Sequence, residues 1–164
     1  MEKKGNPPPE MLECGLPAAL EVMGERWSFM ILRAAFNGLC HFEDFLSQLG
    51  IARNILSNRL ANLVEHGIMR REPVPEDRRR IEYKLTAKGE DLLPALIALR
   101  QWGEKYGGDV HSNPVLVDAR DRQPIAPIEV RSHDGRALTA HEMRWQHADR
   151  LGDPAGAFYP LDEC

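Results

Sequence analysis

The sequence predicts an α+β fold: a helix-turn-helix, a β-hairpin wing, a C-terminal dimerisation helix and a small β-rich C-terminal appendage. The first observation behind it is a pair of segments with helical apolar spacing, Phe42–Leu49 and Ala52–His66. Only Gly50 and Ile51 separate them, which is the length of a tight turn. Two helices this close in sequence must cross at an angle, as the two helices of a helix-turn-helix do.

The second observation is the stretch that follows Gly67, which stops the longer helix. Ile68–Val74 and Arg80–Leu85 have the composition of β-strands, and the arginine-rich segment Pro75–Arg80 joins them. A helix-turn-helix followed by such a hairpin is typical of domains that grip duplex DNA.

Size and composition set limits on the class of protein. A chain of 164 residues can fill one core and add an appendage, and 43% apolar with 28% charged residues is ordinary for a globular protein. The polar, proline-rich residues 1–10 predict a flexible leader with no secretory signal. Without an 18-residue apolar run, we expect a cytoplasmic protein with no membrane partner.

Charge is distributed unevenly along the chain. The net charge is −4, yet residues 51–90 hold nine Arg and Lys against six Asp and Glu, a local excess of +3. A modest basic island on an acidic protein suits a sequence-specific DNA reader better than a non-specific coating protein.

The longer helix of the motif has two chemically different faces. At 100° per residue, Leu56, Leu60, Leu63 and Val64 form one stripe and predict the buried face. Three asparagines, which can read base edges, lie opposite them: Asn54, Asn58 and Asn62. Alternatively, these amides only solvate the face. The predicted phosphate ligands are Arg53, Ser57, Arg59, Arg78, Arg79 and Arg80.

A long helix is predicted to follow Thr86, its N-cap, and to run to about Tyr106. Pro94 should kink this helix or mark a short first helix. The helix is apolar on two sides, which predicts a homodimer interface formed by Leu92, Leu96, Leu99 and Trp102. Alternatively, Trp102 packs back on the C-terminal segment.

Residues 109–164 predict the β-rich appendage, with a hairpin at Asp134-Gly135 and a loose end. Its histidines have no tight ligand spacing, so no metal site is predicted from His111, His133, His141 and His147. No cofactor motif or nucleophile–base constellation is present in the sequence, and we therefore predict no enzyme and no cofactor.

The three cysteines, Cys14, Cys40 and Cys164, form neither a metal-spaced pair nor a disulfide framework. Cys14 has two interpretations, a thiol sensor or a small apolar filler at the start of a helix. Cys40 lies beside His41, which could make its thiol the more ionised one, although an ordinary loop cysteine is the preferred interpretation.

Many separate anchors occur in the order found in one family, and the sequence resembles the HxlR-type winged helix-turn-helix transcriptional regulators over about residues 11–108. The anchors are Cys14, Gly24–Arg33, Gly38, His41–Phe45, Leu49–Ile51, Leu56–Leu60, Gly67-Ile68, Tyr83–Gly89 and Trp102-Gly103.

The resemblance implies a homodimer that binds double-stranded DNA at an inverted-repeat operator, with repression as the default. It places Ala52–His66 in the major groove and the wing tip, Pro75–Arg80, along the backbone. It also implies a small-molecule or oxidant effector, since relatives that sense quinones, aldehydes or oxidants use a cysteine at the position of Cys14.

The sequence departs from the family at three points. Ala52 stands where the family often has serine, which removes a side-chain N-cap worth about 1 kcal/mol. Glu76 and Asp77 dilute the positive charge of the wing. Residues 111–150 contain no cysteine, so a zinc ribbon is not expected.

A protein-interaction module that has lost DNA binding is the alternative function.

Overall fold

The computed structural model describes residues 14–108, 114–146 and 151–152. Over the first range the elements are α1 (Gly15–Met23), α2 (Arg26–Phe36), α3 (Phe42–Leu49), α4 (Arg53–Glu65), β1 (Met69–Val74), β2 (Asp77–Leu85), α5 (Ala87–Glu90) and α6 (Leu93–Tyr106). Helices α3 and α4 form the helix-turn-helix and β1–β2 the wing, which confirms the predicted winged helix-turn-helix. The predicted leader and the loose end beyond residue 152 lie outside the described residues.

The turn between α3 and α4 depends on Gly50, whose φ of 58° lies in the left-handed region. Helix α4 then begins after Ala52, which makes no side-chain cap hydrogen bond. The missing cap predicted from the sequence is therefore confirmed.

A single apolar core holds the helices and the wing together. Its fully buried members come from each of the three central helices and from the start of β1, and the largest are Phe45, Ile31, Leu32, Leu56, Leu60, Leu63 and Met69. In α1 only Met23 is buried, whereas Leu16 and Leu20 are 62% and 50% exposed.

The wing is an antiparallel pair with regular register from Met69↔Leu85 to Pro73↔Ile81. The next pair is Val74↔Asp77, so the three arginines at positions 78–80 have no cross-strand partners. Pro73 has no N–H to donate to a ladder, which gives a physical reason for an irregularity at this point. The loop is shorter than the predicted Pro75–Arg80, because β2 already begins at Asp77.

Thr86 caps α5 as predicted, since its Oγ1 accepts a 3.2 Å hydrogen bond from the Gly89 N–H. Helix α5 ends at Glu90, and α6 begins at Leu93. Pro94 thus marks a short first helix, and as the second residue of α6 it needs no intrahelical N–H partner. Among the described residues no helix is long and apolar enough to cross a membrane.

The chain divides into two compact units between Leu99 and Arg100. The described part of the second unit, residues 100–108, 114–146 and 151–152, has isolated bridges, Val117↔Pro124 and Arg131↔Ala137, where strands were predicted. The turn at Asp134-Gly135 is present, with Gly135 at φ 86°. Backbone hydrogen bonds from Leu138 N–H to Val130 O and from Ser132 N–H to Arg136 O flank this turn, but no named strand is formed over the described residues of this unit. Side chains bind other backbone groups of the segment. Gln101 Oε1, for example, accepts from Ile128 N–H at 2.7 Å.

Candidate nucleic-acid interface

The exposed side of α4 carries the polar residues predicted to contact DNA. Arg53, Asn54, Ser57 and Asn58 are all exposed, while the leucine stripe on the other side of the helix is buried. The apolar stripe fixes the rotation of α4, and that rotation leaves these four side chains in solvent.

Asn62 is less exposed than Asn54 and Asn58. It is half-buried, and its Nδ2 donates a 3.4 Å hydrogen bond to the carbonyl of Val22, near the end of α1. The prediction that Asn62 lies on the open face is wrong, because α1 covers that end of α4.

Arg59 is held by an ion pair inside the unit. Its Nη2 lies 2.8 Å from Glu25 Oε1, and the guanidinium side chain is only 26% exposed. Its Nε is buried without a hydrogen-bond partner among the described residues. The Arg59 charge is therefore balanced by the residue that precedes α2, which disfavours its predicted contact with phosphate.

Arg53 also has an acidic partner but remains in solvent. Its Nη2 lies 2.9 Å from Glu43 Oε2, with both side chains more than 60% exposed, and its guanidinium lies 5.1 Å from the centre of the Phe42 ring. Exposed pairs of this kind contribute about 0–1 kcal/mol, so a phosphate could replace Glu43 at little cost.

The wing arginines differ in their surroundings. Arg78 and Arg79 are exposed, and the Arg79 backbone N–H donates to Asp77 Oδ1 at 3.0 Å. Asp77 therefore orders the irregular segment in addition to diluting its charge. The Arg80 side chain instead contacts His41, since its Nη2 lies 3.2 Å from His41 Nε2.

A polar cluster that no sequence pattern indicated lies between the loop before α3 and β2. Glu82 Oε1 lies 3.9 Å from His41 Nε2, and Glu82 Oε2 lies 2.5 Å from Lys84 Nζ. The hydrogen bond that Lys84 donates to Glu82 lowers the pKa of the Glu82 carboxyl and raises the pKa of the Lys84 ammonium. His41 and Glu82 are 41 positions apart, so only the bridge between them in the folded chain brings them together.

Burial raises the pKa of the Cys40 thiol, and the Glu82 carboxylate raises it further. This direction is opposite to the effect suggested for the neighbouring His41, and it fits the preferred interpretation of Cys40 as an ordinary loop cysteine. Cys14 is exposed at the N-cap position of α1, as a sensor thiol would need to be.

Helix α6 leaves three large apolar side chains in solvent within the described structure: Leu99 is 52% exposed, Trp102 64% and Tyr106 61%. The Trp102 and Tyr106 rings have centroids 5.6 Å apart. Leu96 is half-buried. Leu92 differs from the prediction, because it packs against the core of its own chain.

The structure describes two of the four appendage histidines, from which no metal site was predicted. His133 and His141 are exposed and belong to no group of potential metal ligands in the described part of the chain. His111 and His147 lie outside the described residues.

A buried helix-turn-helix scaffold, an exposed polar second helix and an arginine-bearing hairpin define a winged helix-turn-helix transcriptional regulator. The HxlR-like helix-turn-helix family matches residues 22–111, more than half of the chain. The protein belongs to this family.

Individual relatives and solved structures with similar chains are also described as regulators or transcription factors. An uncharacterised HTH-type transcriptional regulator of Mycobacterium tuberculosis is 49% identical over 126 residues, covering 76% of this chain and 80% of the relative. The crystal structure of PA1607, a candidate transcription factor, matches with a TM-score of 0.77 and 42% identity, covering 83% of this chain and 96% of that one. The redox regulator HypR in its reduced form matches with a TM-score of 0.52 and 26% identity, covering 58% and 95%.

Proposed function

We propose that the protein is a homodimeric repressor that binds an inverted-repeat operator and is released by a small molecule or by thiol modification. The observation that carries the proposal is the exposed polar face of α4, where Asn54 and Asn58 alternate with Arg53 and Ser57. An exposed helix of this composition in a winged helix-turn-helix fits the major groove, where amides can pair with adenine edges.

The chemistry divides between base reading and backbone binding. Asn58 and Asn54 are the proposed base readers. Ser57, Arg53, Arg78 and Arg79 are the proposed phosphate ligands, because their side chains are exposed. In this proposal Asn62 and Arg59 act instead as internal contacts that hold α4 against the end of α1 and the start of α2.

Two substitutions should separate these roles in a DNA-binding titration. Asn58→Ala should reduce discrimination between the preferred operator and single-base variants by about 1–3 kcal/mol, because base contacts specify. Arg79→Ala should weaken all duplexes to a similar degree. It should also reduce the salt slope by about 1 for each phosphate that is no longer neutralised, or about 2 per dimer.

The operator for this test is obtained by sequencing duplexes selected from a random pool. Arg122→Ala, an exposed arginine in the second unit, is the charge control and should bind like wild type. If neither Asn58→Ala nor Arg79→Ala changes binding, the proposed interface is refuted. If the selection enriches no duplex, the interaction-module alternative gains support, and the ion pairs that neutralise Arg53 and Arg59 would fit it.

Support for a dimer comes from the spacing on α6. Ala95, Leu99, Trp102 and Tyr106 recur at helical intervals and fall within an arc of about 60° at 100° per residue. All four are exposed in the isolated chain. An apolar stripe of this kind on a small protein suits burial against a second copy, and a two-fold pair would match an inverted repeat.

Cys14 is the proposed thiol sensor, supported by its exposure at the N-cap of α1 and by the likeness to HypR, which is a redox regulator. Treatment of the reduced protein with a quinone or a mild oxidant should weaken operator binding by about tenfold or more in wild type and not in Cys14→Ser. Gel-shift titrations before and after treatment measure this change. Cys164→Ser should respond like wild type, and equal losses in wild type and Cys14→Ser would assign the response elsewhere.

A further inference from the structure

Three different metal-binding side chains meet where the loop before α3 lies against β2. Cys40 Sγ, a His41 ring nitrogen and a Glu82 carboxylate oxygen all lie within 4.8 Å of one another. All three residues are half-buried. A tetrahedral ion with bonds of about 2.0–2.3 Å needs donor atoms roughly 3.5 Å apart, which small side-chain rotations would provide.

The hydrogen bonds of His41 place the ring in the form that binds metals. Arg80 Nη2 lies 3.2 Å from His41 Nε2, and a guanidinium can only donate. Nε2 is therefore the acceptor, and the proton lies on Nδ1, which donates to the carbonyl of Ile81 at 3.2 Å. A ring nitrogen with a free lone pair, oriented by an N–H bond from the other nitrogen to a backbone carbonyl, is the usual arrangement of a histidine ligand.

The other two ligands are also oriented. Lys84 binds Glu82 Oε2 and leaves Oε1 nearest to His41. The Tyr83 N–H donates to the Cys40 carbonyl at 2.7 Å and holds the cysteine beside the strand. Cys40 also lines an open cavity of about 390 Å³, so one of the three ligands is reached from solvent.

We propose that Cys40, His41 and Glu82 form a site for Zn²⁺ or a similar divalent transition ion. Thiolate, imidazole and carboxylate together suit zinc, and three protein ligands leave a fourth position for water. On binding, the Cys40 S–H bond breaks, its proton passes to the buffer, and an S–Zn bond forms. Because the ion takes His41 Nε2, it displaces Arg80 from that nitrogen.

A cobalt titration of the full-length, reduced protein tests the site directly. We expect a thiolate-to-cobalt charge-transfer band that saturates at one equivalent per chain and disappears when Zn²⁺ is added. Cys40→Ser should abolish the band, whereas Cys14→Ser and Cys164→Ser should retain it. His41→Gln and Glu82→Gln should weaken the affinity by about tenfold or more.

Absence of the band in wild type, or its persistence in Cys40→Ser, would overturn the proposal. Circular dichroism checks that each variant is folded. If Cys40→Ser does not fold, the His41 and Glu82 variants decide the matter, and wild-type affinity in both would refute the site.

The consequence for DNA rests on the proposed function and needs a separate measurement. Metal binding ties β2 to the start of α3 and frees the Arg80 guanidinium for phosphate, so Zn²⁺ should tighten operator binding by at least about fivefold. His41→Gln should bind the operator without responding to Zn²⁺. A cobalt band without any zinc effect on DNA would leave the site standing and refute only this coupling.

Discussion

Replacing Leu99 and Trp102 together by glutamate should convert the proposed dimer into a monomer and reduce affinity for a full operator by a factor of about 10²–10⁴. In a two-fold interface each substitution counts twice, and each large apolar side chain contributes on the order of 2 kcal/mol when buried. The new carboxylates would also have to lose their hydration. A monomer binds only one half-site and loses the high effective concentration of the second.

Sedimentation velocity and titrations against full and half operators measure the two effects. Val115→Glu is the control, since Val115 is 57% exposed but lies outside α6. A variant that remains dimeric would place the interface elsewhere on the surface. A monomer with undiminished operator affinity would contradict the proposed two-fold binding mode, even if the interface itself is correct.

Gly89→Ala should destabilise the first unit by about 1–3 kcal/mol, the usual cost of overpacking a close contact. Alanine normally stabilises a helix by about 1 kcal/mol relative to glycine. Here the added Cβ would lie 2.2 Å from the Ile68 carbonyl oxygen and 3.2 Å from Leu85 Cδ2. That carbonyl cannot move freely, because it accepts a 3.1 Å bond from the Thr86 N–H. The overlap therefore outweighs the helix preference.

Thermal unfolding followed by circular dichroism should show a fall in Tm of about 4–8 °C for each kcal/mol of lost stability. Gly103→Ala is the matched control, since Gly103 is also helical but has no atom within 4 Å of the added Cβ. It should leave stability unchanged or raise it slightly. An unchanged Tm in Gly89→Ala would mean that α5 can move away from Ile68 and Leu85 without loss of stability.

The buried and exposed faces of α4 show which features of the site are predictable from the sequence. Helical periodicity correctly separated the buried leucines from Asn54 and Asn58, because both sets depend on one rotation of one helix. The same angular rule failed for Asn62, because it does not include the neighbouring α1 whose Val22 carbonyl accepts the amide. The rule also does not include Glu25, which forms the ion pair with Arg59.

In the wing and the second unit, too, the sequence did not predict which groups pair. The arginine-rich hairpin was predictable from composition, but the loss of register after Pro73 depends on which residues pair across the strands. The β-rich appendage was predicted from residues 109–164 alone, and that pattern does not show that Gln101 of helix α6 binds the backbone of Ala126 and Ile128. A local pattern gives the tendency to be extended but not the hydrogen-bond partner.

The sequence by itself determined the helix-turn-helix, the wing, the Gly50 turn, the uncapped start of α4, the Thr86 cap and the family. These follow from side-chain periodicity and backbone preferences within a few residues of each position. Only the tertiary structure decided which polar groups remain open to DNA and that Cys40, His41 and Glu82 meet. Those contacts join residues about 40 positions apart, and no local preference encodes them.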